Sequence, residues 1–163
     1  MLIKIFVTGG TIDGLACELG DDIPKDHKSP ISELLRQARV MLSRSIEELF
    51  HKDSRTISNE DRELIYKKCL KCDEDKILIT HGAMTLPDTA VFLGKKNIPK
   101  TIVLVGAMVP DGQPKSDVMF NLGMAVGVVQ LLPHGVFIAM NGRIFTWDNV
   151  KKNFEKGTFE NEK

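Results

Sequence analysis

Apolar residues along the chain gather into short continuous runs instead of alternating with polar ones. Leu2–Thr8, Lys76–Thr80, Thr101–Val105 and Gly135–Met140 are runs of this kind, and Ser45–Phe50 is a weaker one. They are rich in β-branched residues, and unbroken apolar character is what a strand needs when both faces of its sheet are covered. Between them lie four stretches with helix signals. Ser29-Pro30 opens one that extends to about Arg39, with Pro30 near its first turn. Ser58 followed by Asp61 is an S-x-x-D variant of the capping box, opening a helix that runs to about Lys71. Thr85-Leu86-Pro87-Asp88 starts a third, capped by Thr85 and ending near Lys95. The fourth runs from about Ser116 to Leu131, with Met119, Leu122, Val126 and Val129 along one side.

Strand and helix thus alternate five times. That order predicts right-handed crossovers and a three-layer, doubly wound α/β fold of the Rossmann or flavodoxin kind, with a mainly parallel five-stranded sheet. The 163 residues fit one domain spanning 1–163, with a polar tail from about residue 153. In such sheets ligands bind beyond the carboxyl ends of the strands, at the switch point. The turns to search are therefore Thr8–Gly14, His51–Thr56, Thr80–Thr85, Gly106–Lys115 and Asn141–Lys152.

Charge narrows the partners. The 22 basic residues balance 22 acidic ones, so no global field attracts nucleic acid or an anionic membrane. No apolar run reaches the length of a membrane span. The start, Met1–Val7, meets Gly9-Gly10 at once and lacks the shape of a signal peptide, which points to the cytoplasm. Cys69-Leu70-Lys71-Cys72 is a C-x-x-C, but it closes a helical stretch instead of opening one, so plain thiols are the expectation. No His/Cys/Asp set has metal-ligand spacing, and neither a metal nor an organic cofactor is implied.

Chemistry concentrates in the first turn. In Thr8-Gly9-Gly10-Thr11-Ile12, two glycines allow a sharp turn with accessible N–H groups. The hydroxyl of Thr11 at the strand tip is then a candidate nucleophile, with N–H groups to hold an oxyanion. The same residues also fit a phosphate-binding turn or a plain connection, although neither G-x-G-x-x-G nor the P-loop spacing is present. His81 is a candidate base or an organiser of its loop by hydrogen bonds. Lys152 matters only if the charged end of the chain folds back over the carboxyl edge of the sheet. The acidic loop Asp13–Lys28, with Gly20 and Pro24, is a candidate lid.

Three stretches taken together resemble the bacterial L-asparaginase/glutaminase family: Thr8-Gly9-Gly10-Thr11-Ile12, Ile79-Thr80-His81-Gly82 with the downstream Thr85, and Val105-Gly106-Ala107-Met108-Val109-Pro110. Each falls at an expected strand end in the family's order, and Asp117 with Phe120-Asn121-Leu122 resembles the segment that follows. The resemblance covers the family's amino-terminal domain. It implies Thr11 as nucleophile, Ser54 of Asp53-Ser54-Arg55 at the substrate's carboxylate, and Lys152 as the catalytic lysine, with Lys151 the alternative if the alignment slips by one. Gly10, Arg55, Gly82, Ala83 and Met84 complete the implied substrate-binding set. It also implies a homo-oligomer, dimer or tetramer, in which a neighbour completes each site.

This chain departs from the family's pattern at one place above all. Where the family reads His-Gly-Thr-Asp-Thr-Met, it reads His81-Gly82-Ala83-Met84-Thr85-Leu86. The second catalytic threonine is Ala83 and its partner aspartate is Met84. The family's loop tyrosine is also missing: the one tyrosine, Tyr66, falls in an expected helix. Losing a positioned base costs about 100- to 10,000-fold in rate. Losing a charge-assisted contact to a substrate ammonium costs about 1.5–3 kcal/mol in binding. Three readings follow. One is an amidohydrolase with an altered small amide substrate lacking the α-amino group. The second is a non-catalytic domain that binds a small carboxylate or amide, as a sensor, subunit or regulator. The third is a nucleotide- or phosphate-binding domain at Gly9-Gly10, which has no Lys or Arg beside that turn.

Overall fold

The computed structural model describes residues 1–15 and 23–163. Residues 16–22 of the candidate lid, with Cys17 and Gly20, lie outside the described residues. Strand β1 is Leu2–Gly9, β2 Ser43–Lys52, β3 Lys76–Thr80, β4 Thr101–Val105 and β5 Gly135–Met140. Helix α1 is Ile31–Gln37, α2 Asn59–Lys71, α3 Leu86–Gly94 and α4 Val118–Val129. Three short strands follow: β6 Arg143–Thr146, β7 Lys151–Asn153 and β8 Thr158–Glu160.

The main sheet has the order β2-β1-β3-β4-β5-β6. Its first five strands are parallel neighbours. The order reverses beside β1, which makes the β1–β3 boundary the switch point. The α/β class and the doubly wound order agree with the sequence, but the sheet has six strands and not five. The extra strand β6 returns antiparallel to β5. Asn141 and Gly142 join them with φ of 53° and 74°. Positive φ at both residues of a two-residue loop is the backbone that a tight hairpin requires.

Alternation within each strand splits the core into two layers. Phe6, Ile77, Ile79, Ile102, Leu104 and Ile138 face α2 and α3, where they meet Ile65, Leu86, Ala90 and Leu93. Ile5, Val7, Leu78, Val103 and Val105 face α1 and α4, where they meet Leu34, Leu35, Leu122 and Ala125. Each such side chain, fully removed from water, contributes about 1.5–3 kcal/mol. Helix α2 begins with the full capping box, Ser58 and Asp61 each accepting from the other's backbone N–H. The face of α4 differs from expectation at Met119, which is 39% exposed, while Val118 is buried in its place. A stripe at positions 118, 122, 125, 126 and 129 follows the helical period more closely than one through 119.

The charged carboxyl end is not a solvated tail. β7 and β8 pair as an antiparallel hairpin. Phe159 and Val150 enter the core on the α2–α3 side, at 2% and 5% exposure. Asn141 Oδ1 accepts from Phe159 N at 3.0 Å. Asn149 Oδ1 accepts from the backbone N–H of Glu162 and of Lys163, each at 3.0 Å. The hairpin thus lies against the carboxyl end of β5.

Cys69 and Cys72 are free thiols. Cys69 is buried, and burial pushes its thiol up to about 12. It therefore stays protonated and inert at neutral pH.

Candidate functional site

Three strand-end turns meet at unusually close range. Thr8 Oγ1 donates to the carbonyl of Thr80 at 2.7 Å, tying the ends of β1 and β3. Gly9 and Gly10 have φ of 101° and 82°. A Cβ on Gly9 would run into the backbone nitrogen of Lys52, and one on Gly10 into the Cα of Gly82. A Cβ on Gly82 would lie 2.7 Å from Cβ and Oγ of Ser54. The glycines are needed for this interlock of turns as well as for the change in chain direction.

Beyond Gly10, residues Thr11–Asp13 form a single 3-10 turn. Asp13 N donates to Gly10 O at 2.9 Å, and Gly14 N to Thr11 O at 3.1 Å. A second 3-10 turn, Ser54–Thr56, follows β2 and is capped by the Asp53 carboxylate, which accepts from Arg55 N at 2.9 Å. Thr85 stands at the N-terminus of α3, as expected, but its hydroxyl makes no cap there. It donates to the carbonyl of Ser54 at 2.6 Å, and so joins the second turn to the third.

His81 holds the third turn from inside. It is completely buried. Its Nδ1 lies 2.8 Å from the carbonyl oxygen of Gly82 and its Nε2 2.8 Å from Thr89 Oγ1. With Nδ1 protonated, the ring donates to Gly82 and accepts from Thr89, so both nitrogens are satisfied by a neutral imidazole. Burial drives its pKa down to about 4. His81 is therefore the loop organiser, and it does not line the cleft described next.

The turns enclose a cleft of about 80 Å³ lined by Gly10, Thr11, Leu15, Asp53, Ser54, Gly82, Ala83, Met84, Ala107, Met108 and Lys152. Seven of the eight residues singled out from the sequence are among them. Thr11 is 8% exposed and Ser54 2%. Arg55 is the exception: three guanidinium contacts go to Asp53, at 2.5–3.0 Å. Those contacts hold the Asp53 carboxyl below its ordinary range despite burial. The hairpin settles which lysine reaches the cleft. Lys152 Nζ lies 3.1 Å from Met84 Sδ. Lys151 points to the other side, where its Nζ is 3.5 Å from Glu160 Oε1.

Four lining residues, Leu15, Asp53, Ala107 and Met108, were not singled out from the sequence. The Gly106–Pro110 loop that supplies two of them is fixed by Asp117, whose carboxylate accepts from the backbone of Met108 and Val109 at 2.9 Å each. Asn121 Nδ2 donates to Gly106 O at 3.2 Å and to Asp117 Oδ2 at 2.8 Å. The loop and Asp117 are among the stretches that carry the family resemblance, although no role was assigned to Ala107 or Met108 themselves.

The match to known proteins agrees with this geometry. The family model described as "Asparaginase, N-terminal" matches residues 2–160. The chain belongs to the asparaginase family. It is 33% identical over 162 residues to a glutaminase-asparaginase of Pseudomonas aeruginosa, covering 92% of this chain and 45% of that protein. It is 30% identical over 162 residues to the L-asparaginase of Thermococcus kodakarensis, covering 93% and 48%. The solved structure of the thermostable L-asparaginase from Thermococcus kodakarensis superposes with a TM-score of 0.82 at 28% identity, over 99% of this chain and 51% of that one. A probable cytoplasmic L-asparaginase from Campylobacter jejuni gives 0.80 at 30% identity, over 96% and 52%. The chain spans about half the length of the curated relatives it matches. One relative is described as periplasmic. Among the described residues, no helix is long and apolar enough to cross a membrane.

Within this asparaginase-family domain, the departures from the family's second motif fall on the cleft wall itself, since Ala83 and Met84 both line it. Asp53 also lines the cleft, with both of its oxygens paired to Arg55. Tyr66 lies in α2, with Lys96 Nζ 4.7 Å from its ring centre, and is not among the lining residues.

The fold also brings together Asp13, His27 and His51, whose donor atoms lie within 4.8 Å of one another. They are 14 and 38 residues apart along the chain from Asp13, which is why no ligand spacing announced them.

Proposed function

We propose that this domain is an amidohydrolase of the asparaginase type, acting on a small carboxylate-bearing amide through Thr11. The observation that carries the reading is the position of Thr11 at a cleft shared with Ser54, Gly82 and Lys152. The Thr11 hydroxyl attacks the amide carbon while N–H groups of the surrounding turns donate to the developing oxyanion. The C–N bond then breaks and the nitrogen leaves as ammonia with the hydroxyl proton. Water hydrolyses the resulting ester to regenerate Thr11, and Ser54 receives the substrate's carboxylate end. Lys152 supplies positive charge at the cleft wall.

The substrate differs from free asparagine. Ala83 and Met84 make the wall apolar where the family presents Thr and Asp. An α-ammonium there would be desolvated without a carboxylate partner, at a cost of several kcal/mol. The fitting substrate is the monoamide of a small dicarboxylic acid without an amino group. The Ala83–Met84 wall also supports a second reading, in which the domain binds such a molecule without consuming it. The reading includes a homo-oligomer in which a neighbouring copy completes the site. The cytoplasm, where thiols stay reduced, suits free Cys69 and Cys72.

The test is ammonia release from a panel of small amides with and without an α-amino group, in parallel with thermal shift and with Thr11→Ala as control. Turnover that is confined to amides lacking the amino group and abolished in Thr11→Ala supports hydrolysis. A ligand that raises the melting temperature but persists unchanged supports the second reading. Equal turnover by Thr11→Ala removes Thr11 from the mechanism.

A further inference from the structure

Asp13, His27 and His51 come from three separate segments and converge beside the turn that carries Thr11. His51 Nδ1 lies 2.7 Å from Asp13 Oδ2, and His27 Nε2 lies 3.4 Å from the same oxygen. The two imidazole rings stand edge to face at 77°, with centroids 4.8 Å apart. The Asp13 side chain is fully buried. Its second oxygen, Oδ1, is buried and has no close hydrogen-bond partner among the described residues, with the Ser29 hydroxyl a further group that favours the charged carboxylate. A buried carboxylate with an unsatisfied oxygen is costly unless a cation stands beside it.

Two imidazoles and one carboxylate form a donor set suited to borderline divalent ions of the zinc type, with a fourth position left for water. Bonds of about 2.0–2.1 Å at tetrahedral angles place donor atoms about 3.3 Å apart. The His27–Asp13 separation of 3.4 Å already fits. The His51–Asp13 separation of 2.7 Å must open by about 0.6 Å, and the widest separation in the set, at most 4.8 Å, must close by up to about 1.5 Å as the imidazoles turn toward the ion. Behind His51 stands the further feature such sites use: its Nε2 lies 2.8 Å from Glu48 Oε2, a carboxylate that fixes the ring with Nδ1 aimed at the cluster.

We infer that His27 Nε2, His51 Nδ1 and a carboxylate oxygen of Asp13 bind a divalent transition-metal ion of the zinc type. The ion ties the segment before α1 and the end of β2 to the 3-10 turn that carries Thr11. It lies outside the cleft, since none of the three residues lines it. The site does not depend on whether that cleft catalyses hydrolysis.

Zinc titration of the metal-stripped chain by calorimetry tests the site, with cobalt absorption as a second readout. One ion per chain is expected, with a tetrahedral cobalt spectrum free of thiolate charge transfer and a melting temperature raised by several degrees at saturation. His27→Ala weakens binding at least about tenfold, and so does His51→Ala. His27 has a partly exposed side chain in a loop, so that variant keeps the fold. No stoichiometric binding by the wild type overturns the inference. So does a thiolate band, or an affinity unchanged in both variants, because the ion then sits elsewhere.

Discussion

Acidification should destabilise this domain through one residue well before its carboxylates are protonated. His81 is completely buried, and its neutral ring is held between the carbonyl of Gly82 and the hydroxyl of Thr89. Its pKa falls from 6.5 to about 4 in the folded chain, chiefly because burial penalises the imidazolium. The unfolded chain therefore binds a proton between those values and the folded chain does not, so stability declines as pH falls across that window. At 1.36 kcal/mol per pH unit, the gap is worth about 3 kcal/mol in full, of which about 2 kcal/mol is lost between pH 7 and pH 5. Carboxylates held below their ordinary range, such as Glu47, Asp53 and Asp61, add their losses only at lower pH. Asp13 acts with the opposite sign, because burial raises its pKa and the folded state then gains from protonation.

Urea unfolding at closely spaced pH values, on the wild type and His81→Gln, isolates the His81 contribution, since all other groups are shared. The variant is less stable at pH 7 and loses about 2 kcal/mol less than the wild type on going to pH 5. Parallel stability curves for the two proteins across that interval would refute the assignment of a buried neutral imidazole.

Gly10→Ala places a Cβ against Gly82 at φ 82°, ψ −177°, a region open essentially to glycine. It should cost more than about 3 kcal/mol, read as a fall in the chemical-denaturation midpoint. Phe159→Ala removes the buried anchor of the β7–β8 hairpin, at about 3 kcal/mol or more. Trypsin should then cut at Lys151, Lys152 and Lys156 much faster than in the wild type, while the six-stranded sheet keeps its circular dichroism. Iodoacetamide under native conditions should label Cys72 ahead of Cys69, whose thiol is buried and pushed up to about 12; mass spectrometry of the peptides reads the order.

The parallel sheet was legible because β1, β3, β4 and β5 are continuous apolar runs separated by helical stretches, one of which, α2, carries a full capping box. The last third of the chain was harder to read for a physical reason. Strand β6 sits at an edge, so Arg143-Ile144-Phe145-Thr146 alternates, with Phe145 buried and Ile144 exposed, and it has no continuous apolar run. Its signal was the Asn141-Gly142 pair, which favours the positive φ that both residues adopt. β7 and β8 have three residues each and one buried anchor, too little for any period to register. The position of Lys152 depended wholly on that hairpin, so local sequence could name the lysine but could not bring it to the cleft. The same limit hid the Asp13–His27–His51 cluster, where tertiary contact alone supplies the proximity.

The residues that build the cleft and those that face its contents are different sets. Its shape is fixed by backbone approach at Gly9, Gly10 and Gly82, by the Thr8–Thr80 and Thr85–Ser54 hydrogen bonds, and by His81 beneath the third turn. None of these requires a particular side chain at positions 83 or 84. A family member can therefore exchange Thr and Asp for Ala and Met there and keep Thr11, Ser54 and Gly82 around one small cleft. What changes is the electrostatics of one wall, where Lys152 now meets a thioether sulfur at 3.1 Å. A thioether accepts only weakly and carries no charge, so position 84 no longer offers a cation the partner that a carboxylate would, and the Lys152 ammonium is the charge at that wall.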